Sequence, residues 1–364
     1  KAAETFEATV ALYLAHQRKR IETDDLRPRT YADLERNLLT HAKVLHGLQL
    51  AKIARRDIAA CIATAAKNSG DVTSNRVRTS ISGFFSWAMG EGLVDQNPVI
   101  GTNRKEEKAR DRVLNAAELR TIWNALDESE HYGAIMKLLA LLGQREGEIA
   151  GLRLSELWEI EIITLQEIDG VRLYDVKEVR NVPPSELAEF SWSEVKDGRP
   201  WPKLRGLAIV LPGERTKNKQ KHLVPLSDPA RKIIAAAVSK PRVTADGKLR
   251  DLIFGHGEGP FSGWSNSKEA LEARIAEATG ASLPHWTVHD LRRSFSTHAA
   301  EIGIEPHIIE AAINHISGHK SGVAGTYNRA RYEPAKRNAL IRWANHLLAL
   351  VEGRDSNVIP MQRA

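Results

Sequence analysis

Between Thr287 and Gly303 the chain reads TVHDLRRSFSTHAAEIG. Thr287 and Asp290 stand three residues apart, the spacing at which a capping hydroxyl and an acidic side chain satisfy each other's backbone N–H groups, so a helix starts here. His289 and Arg292 are also three apart and emerge together on the first turn of that helix. A helix N-terminus adds partial positive charge and free N–H groups, and the resulting cluster of donors suits a phosphate. Further on, EPHIIEAAINHISGHKSGVAGTYNRARY opens a second helix at Pro306, since proline is favoured in a first turn. His315 falls at the C-terminal end of that helix, and a glycine-punctuated loop leads to Tyr327, with Tyr332 close behind. Arg145 follows Gly143 in LLGQREGEIAGL at the start of a further helix. Lys217, Lys219 and Lys221 crowd the turn of a strand pair in ERTKNKQKHLVPL, where alternation puts all three on one side and does not choose among them. His315 and His319 have the spacing of a helical metal pair, but HISGH contains Gly318, lacks a glutamate and has no cysteine nearby, so no metal site is expected.

The elements that must hold these groups fall into two sets. From Thr5 to Met89 the periodicity is helical: Phe6, Val10, Leu12, Tyr13 and Leu14 form one stripe, and Thr30 is the expected cap of a helix with Tyr31, Leu34, Leu38 and Leu39 inward. TSNRVRTSISGFFSWAMGEG starts at Thr73 or Ser74, turns Val77, Ile81, Phe84, Phe85 and Ala88 inward, and stops at Gly90 and Gly92. Asn97-Pro98 and the charged run NRKEEKARDR read as a linker. After Val113 the chain is mixed: NAAELRTIWNAL, YGAIMKLLALLG and DPARKIIAAAVSK are helical, and GLAIVLPGERTKNKQKHLVPL gives two strands around a polar turn. The stretch from Glu156 to Leu204 has no sustained period and takes no assignment. The expected architecture is mainly α with a small antiparallel sheet: an all-helical domain over 1–96, a basic linker over 97–112, an α+β domain over 113–350 and a tail over 351–364.

In this order, Arg145 in its GxR..E context, Lys217, the His289/Arg292 pair, His315 and Tyr327 resemble the signature of the tyrosine recombinases, the lambda-type integrases, and the chain is most similar to those of prophages and genomic islands. TSNRVRTSISGFFSWAMGEGLVDQNPV resembles the helical core-binding domain of that family. The resemblance implies that Tyr327 attacks a DNA phosphodiester to give a 3′-phosphotyrosine and a free 5′-hydroxyl, the covalent link conserving bond energy for rejoining. It gives Arg145 and Arg292 the non-bridging oxygens, His315 a further hydrogen bond to the phosphate, His289 proton movement at the tyrosine, and Lys217 protonation of the leaving oxygen. It also places Thr30, Asn75, Arg76 and Arg78 where related proteins touch DNA, and implies duplex attachment sites as substrate, a homotetramer on DNA, and control by a directionality factor and a host DNA-bending protein. Departures are Leu142 for a common threonine, Asn314 for a common glycine, and a longer interval from His315 to the nucleophile, which makes Tyr332 a competitor. The rivals are relaxation by a type IB topoisomerase and a DNA-binding regulator that has lost catalysis.

Bulk properties agree with this reading without demanding it. The formal charge of +6 and pI near 9.3 permit a polyanionic partner. Cys61 is the single cysteine, which excludes an internal disulfide and cysteine-rich zinc sites and reads as a small buried apolar residue. FGHGEGP is not a nucleotide-binding loop, because no Lys-Ser/Thr follows it, and the expected chemistry needs no cofactor. No run is apolar enough to span a membrane, and the expected location is the cytoplasm, on the nucleoid.

Overall fold

In the computed structural model the chain divides into two compact units, Lys1–Arg110 and Asp111–Ala364. The structure describes residues 4–107, 111–168, 171–201, 203–239, 242–244, 246–315 and 332–354.

The first unit is built from α1 (Phe6–Glu22), α2 (Pro28–Arg36) and α3 (Arg55–Gly90), with short helical turns between α2 and α3. Thr5 caps α1, its hydroxyl accepting the Ala8 N–H at 3.3 Å. Phe6, Val10, Tyr13 and Leu14 are buried as expected, but Leu12 is 60% exposed. At 100° per residue Leu12 points away from the face defined by Phe6, Val10 and Tyr13. The α2 start also differs from expectation: its cap position is Arg27 with Pro28 in the first turn, so Thr30 lies inside the helix and is exposed. Proline fixes a helical φ and has no N–H needing a partner, and this sets the start ahead of the threonine. Leu39 is 40% exposed because a wider π-type turn, Asn37–His41, follows α2 and rotates it away from the face of Leu38. Within α3, Gly70 (φ 84°, ψ 167°) breaks the helix, so its second half starts at Asp71 rather than at Thr73 or Ser74. That conformation is open to glycine and strained for other residues. Phe6, Tyr13, Phe84 and Phe85 make the aromatic centre of the core, Phe6 and Phe84 meeting edge-on with centroids 4.9 Å apart. Cys61 is fully buried in this core, and Val99 closes it.

The second unit opens with α4 (Ala116–Ala125) and α5 (His131–Leu142), followed by the one-turn helix α6 (Glu146–Ala150). Asn115 and Glu118 cap α4 reciprocally, at 2.9 and 3.0 Å. Every residue of α5 from Tyr132 to Leu142 is buried, which accounts for its apolar surface all round. The sheet comprises β1 (Leu157–Ile168), β2 (Val171–Asn181), β3 (Ser193–Val195), β4 (Lys203–Leu211) and β5 (His222–Pro225), all paired antiparallel. β1 lies between β2 and β4, and the far edge of β4 takes β3 near its start and β5 near its end.

The unassigned stretch from Glu156 to Leu204 is thus most of this sheet. Its alternation is masked because one face changes chemistry partway along. Leu157, Leu207 and Ile209 point into the main core, and farther out the same face carries Glu159 and Glu161, paired with Arg180, Arg205 and Lys203. The opposite face buries Ile160, Ile162, Ala208 and Val210 beside Trp192, whose ring lies on Gly206 so closely that a Cβ there would come within 2.2 Å. Among the described residues the remaining helices are α7 (Asp228–Val238), α8 (Trp264–Thr279), α9 (Val288–Glu301), α10 (Pro306–Ala312) and α11 (Glu333–Glu352). Leu340, Trp343, Ala344 and Leu347 of α11 are buried as expected, and the Trp343 indole donates to the Ala140 carbonyl at 2.9 Å, docking α11 on α5.

Candidate active site

α5 ends at Gly143 in the left-handed conformation (φ 63°), and the chain passes through Gln144 to Arg145, the cap residue of α6. Glu148 receives the Arg145 backbone N–H at 3.0 Å and its guanidinium at 2.9 Å, so one carboxylate starts the helix and aims the side chain. The other end of that guanidinium donates to the Asn314 carbonyl at 2.9 Å.

Arg292 projects from α9, whose start is capped by Asp290 accepting from the Thr287 N–H and hydroxyl at 2.8 and 3.1 Å. It is only 7% exposed, and it donates to the Gly143 carbonyl at 2.8 Å and the Ile313 carbonyl at 2.7 Å. Burial and the neighbouring Arg145 charge bring its pKa down to about 10, so it remains a cation at neutral pH. The two arginines therefore converge on consecutive carbonyls, Ile313 and Asn314, at the end of α10. Like charges this close are tolerated because Glu148, itself buried, balances one of them.

The end of α10 explains how both carbonyls are presented. The His315 N–H reaches back to the Glu310 carbonyl at 2.9 Å and the Asn314 N–H to Ala311 at 3.4 Å, with Asn314 left-handed (φ 52°). This is the Schellman termination, in which one left-handed residue reverses the chain. His315 follows it, half exposed, with Nδ1 3.8 Å from Glu310 Oε1.

His289 shares the first turn of α9 with Arg292. Burial first, then the charges of Arg292, Arg293 and Arg145, hold its pKa below the ordinary imidazole value, with Asp290 opposing. It is thereby kept neutral and able to take a proton.

Lys217 is exposed on the loop between β4 and β5. The expectation of strand alternation for Lys217, Lys219 and Lys221 fails, because β4 stops at Leu211 and β5 starts at His222. A helical turn at Gly213–Arg215 and a left-handed Lys219 (φ 55°) occupy the interval. The geometry separates the lysines: Lys221 is ion-paired to Glu178 of β2. Tyr327 and His319 lie outside the described residues.

Several groups that hold the site are absent from the sequence reading. Gln144 is buried and donates to the Leu142 and Ala312 carbonyls at 2.7 and 2.9 Å, while its oxygen faces His222 Nε2 at 3.1 Å. Burial holds the His222 pKa well below its usual value. Arg215 donates to the Glu148 carbonyl at 2.8 Å, tying the base of the lysine loop to α6. Only the x-x-Glu spacing after Arg145 carried a local signal; the other bonds join residues far apart in sequence.

In the first unit, Arg76 is exposed and 3.6 Å from Glu107, and Arg78 donates to the Thr102 hydroxyl at 2.9 Å. Asn75 is only 3% exposed: its amide donates to the Lys105 carbonyl and Glu107 at 2.9 and 2.8 Å and accepts the Lys105 N–H at 3.0 Å. Asn75 thus anchors the segment bearing Arg104 and Lys105 instead of presenting its amide outward.

Two arginines anchored side by side, a histidine on the same helical turn as one of them and a lysine-bearing loop tied to α6 make a cluster of donors whose chemistry suits an anion such as a phosphate. Residues 184–333 match the model of the phage integrase family. The chain is 32% identical over 177 residues to the prophage integrase IntA of Escherichia coli (strain K12), covering 48% of this chain and 37% of that protein. It is 26% identical over 133 residues to the integrase of Escherichia phage HK022, covering 36% and 37%. The match therefore spans well under half the length of these curated relatives. Among solved structures, a lambda integrase dimer bound to a COC′ core site superposes with a TM-score of 0.53 at 19% identity, over 84% of this chain and 95% of that one. The Tn1549 transposon integrase in complex with a circular intermediate DNA gives 0.57 at 15% identity, over 92% and 98%. The segment that matches the phage integrase family lies within the second unit, and the lambda and Tn1549 integrases share its fold.

Proposed function

We propose that the protein is a site-specific recombinase that cuts and rejoins duplex DNA through a 3′-phosphotyrosine at Tyr327, integrating or excising a mobile element. The observation that carries this reading is the paired anchoring of Arg145 and Arg292 on the carbonyls of Asn314 and Ile313, which aims two fixed cations at one place. The phosphorus accepts the tyrosine oxygen while the bond to the 5′-oxygen breaks. The two guanidiniums and His315 hold the non-bridging oxygens, neutral His289 receives the phenolic proton, and Lys217 gives a proton to the departing oxygen. Fixed donors of this kind are worth about 10²–10³ in rate each.

Thr30, Arg76 and Arg78 of the first unit are assigned to the DNA backbone. Asn75 acts there indirectly, through the segment it anchors. The solved relatives include a lambda integrase tetramer bound to a Holliday junction, and this supports a tetramer as the working assembly. Control by a directionality factor and a host DNA-bending protein, and residence on the nucleoid, complete the proposal. Among the described residues no helix is long and apolar enough to cross a membrane.

The test is a nicked suicide duplex carrying candidate attachment sites, with wild type and Tyr327→Phe compared for a covalent adduct on a denaturing gel. An adduct in wild type alone supports the assignment. An adduct that persists in the variant moves the nucleophile to Tyr332, and its absence on DNA that is demonstrably bound favours a non-catalytic regulator. Relaxation of arbitrary plasmid without exchange between specific sites would replace recombination with topoisomerase activity.

A further inference from the structure

Asn314 stands at the position where a Schellman termination is ordinarily served by glycine, which adopts the left-handed conformation without strain. Asparagine tolerates it less well, and what it adds is a side-chain amide. That amide is engaged on both sides: Asn218 Nδ2 donates to Asn314 Oδ1 at 2.7 Å, and Asn314 Nδ2 donates to Asn218 Oδ1 at 3.2 Å. Asn218 is the residue after Lys217. Its oxygen also receives the Gln220 N–H at 3.2 Å, and the Thr216 hydroxyl closes the loop by donating to the Gln220 carbonyl at 2.7 Å. The main chain of Asn314 meanwhile holds Arg145. One residue thus touches the phosphate-gripping arginine through its carbonyl and the lysine loop through its side chain.

We propose that the Asn218–Asn314 amide pair is a positioning clasp that sets the height of Lys217 over the phosphate held by Arg145 and Arg292. This rests on the recombinase reading and on Lys217 as the proton donor. Neither asparagine is a catalytic residue; both act through the lysine. The alternative, an arrangement that serves only folding, predicts no dependence on the leaving group. In the attack step the tyrosine oxygen–phosphorus bond forms, the phosphorus–O5′ bond breaks, and O5′ takes a proton from the Lys217 ammonium to leave as the hydroxyl. If sulfur replaces that bridging oxygen, the group leaves as a thiolate, and since a thiol's pKa is about 8.5 no proton donor is needed.

The experiment measures single-turnover adduct formation at saturating DNA by the full chain, as wild type, Asn314→Gly, Asn218→Ala and Lys217→Ala, on ordinary and 5′-bridging phosphorothiolate duplexes. Asn314→Gly keeps the helix termination, so it folds. Both asparagine variants are expected to cleave ordinary DNA about tenfold more slowly, the worth of one or two ordinary hydrogen bonds, with DNA affinity unchanged. On the sulfur substrate they should return to the wild-type rate, as should Lys217→Ala. Full ordinary-substrate activity in either asparagine variant, or a defect that persists with sulfur, overturns the clasp while a rescued Lys217→Ala leaves the wider reading intact. A Lys217→Ala defect that sulfur does not rescue overturns the lysine assignment and the clasp with it, and no wild-type adduct on either substrate removes the recombinase reading itself.

Discussion

Replacing Gly143 by alanine tests the hinge on which the arginine pair depends. Gly143 is left-handed (φ 63°), and a side chain there costs about 1–2 kcal/mol for backbone conformation alone. The added Cβ would stand 2.6 and 2.7 Å from Cδ1 and Cγ of Phe295 and 3.1 Å from Cγ2 of Ile313. Both neighbours are buried, and forcing a methyl into such a packed region costs about 1–3 kcal/mol more. The expected loss is therefore about 2–5 kcal/mol in the second unit. Urea unfolding followed by tryptophan fluorescence reads this unit, because of the eight tryptophans only Trp87 lies in the first. The Gly143 carbonyl also holds Arg292, so adduct formation should fall even where the variant is fully folded. Phe295→Ala removes the nearest clashing atoms, and the double variant should lose less stability than the sum of the two singles. A loss below about 1 kcal/mol, or strictly additive singles, would refute the packing argument.

Three further outcomes follow from the same structure. Because the His289 pKa is depressed, its neutral form persists below the ordinary imidazole value, so the acid limb of adduct formation should lie below about pH 6.5 and flatten in His289→Gln; a wild-type limb at or above that value contradicts the assignment. His131 accepts the Gly255 N–H on Nδ1 at 3.1 Å, and burial, aided by Arg242, His256 and Arg250, lowers its pKa to about 4. A histidine shifted downward contributes stability that is complete above about pH 6.5 and lost as pH falls toward its folded value. Urea midpoints should drop across that window less steeply in His131→Gln, and an unchanged slope would dismiss this residue as a source. Asn75→Ala removes three hydrogen bonds to Lys105 and Glu107, worth about 2–3 kcal/mol together. The Lys105 amide should then exchange with solvent faster, and unchanged protection would show that the segment is held by other means.

The sequence showed its local devices well. The Thr287–Asp290 cap, the joint emergence of His289 and Arg292, the buried α5 and the two-strand reading around the lysines are decided within a few residues, and spacing suffices to see them. Two kinds of feature escaped. In the Glu156–Leu204 stretch, charge pairs replace apolar residues on one face of the sheet, so period-two alternation is present in space and disguised in letters. The fastening of the site depends on bonds between distant segments, such as Arg292 to Gly143 and Asn218 to Asn314, for which no periodicity exists. Gly70 belongs between the two: a glycine is visible, but only the backbone shows that it divides a helix.

The arginines lean on main-chain oxygens, and every residue type supplies a carbonyl. Positions 313 and 314 are therefore constrained by the path of the backbone as far as the guanidiniums are concerned, while their side chains can be spent on other tasks. Ile313 spends its side chain on the core, and Asn314 spends its own on a neighbouring loop. Glu148 has no such latitude, because a carboxylate is the only thing at that place that can both begin a helix and balance a cation. A library randomised at these three positions would separate them: diverse active sequences at 313 and 314, chosen by shape, and near-invariance at 148, chosen by charge.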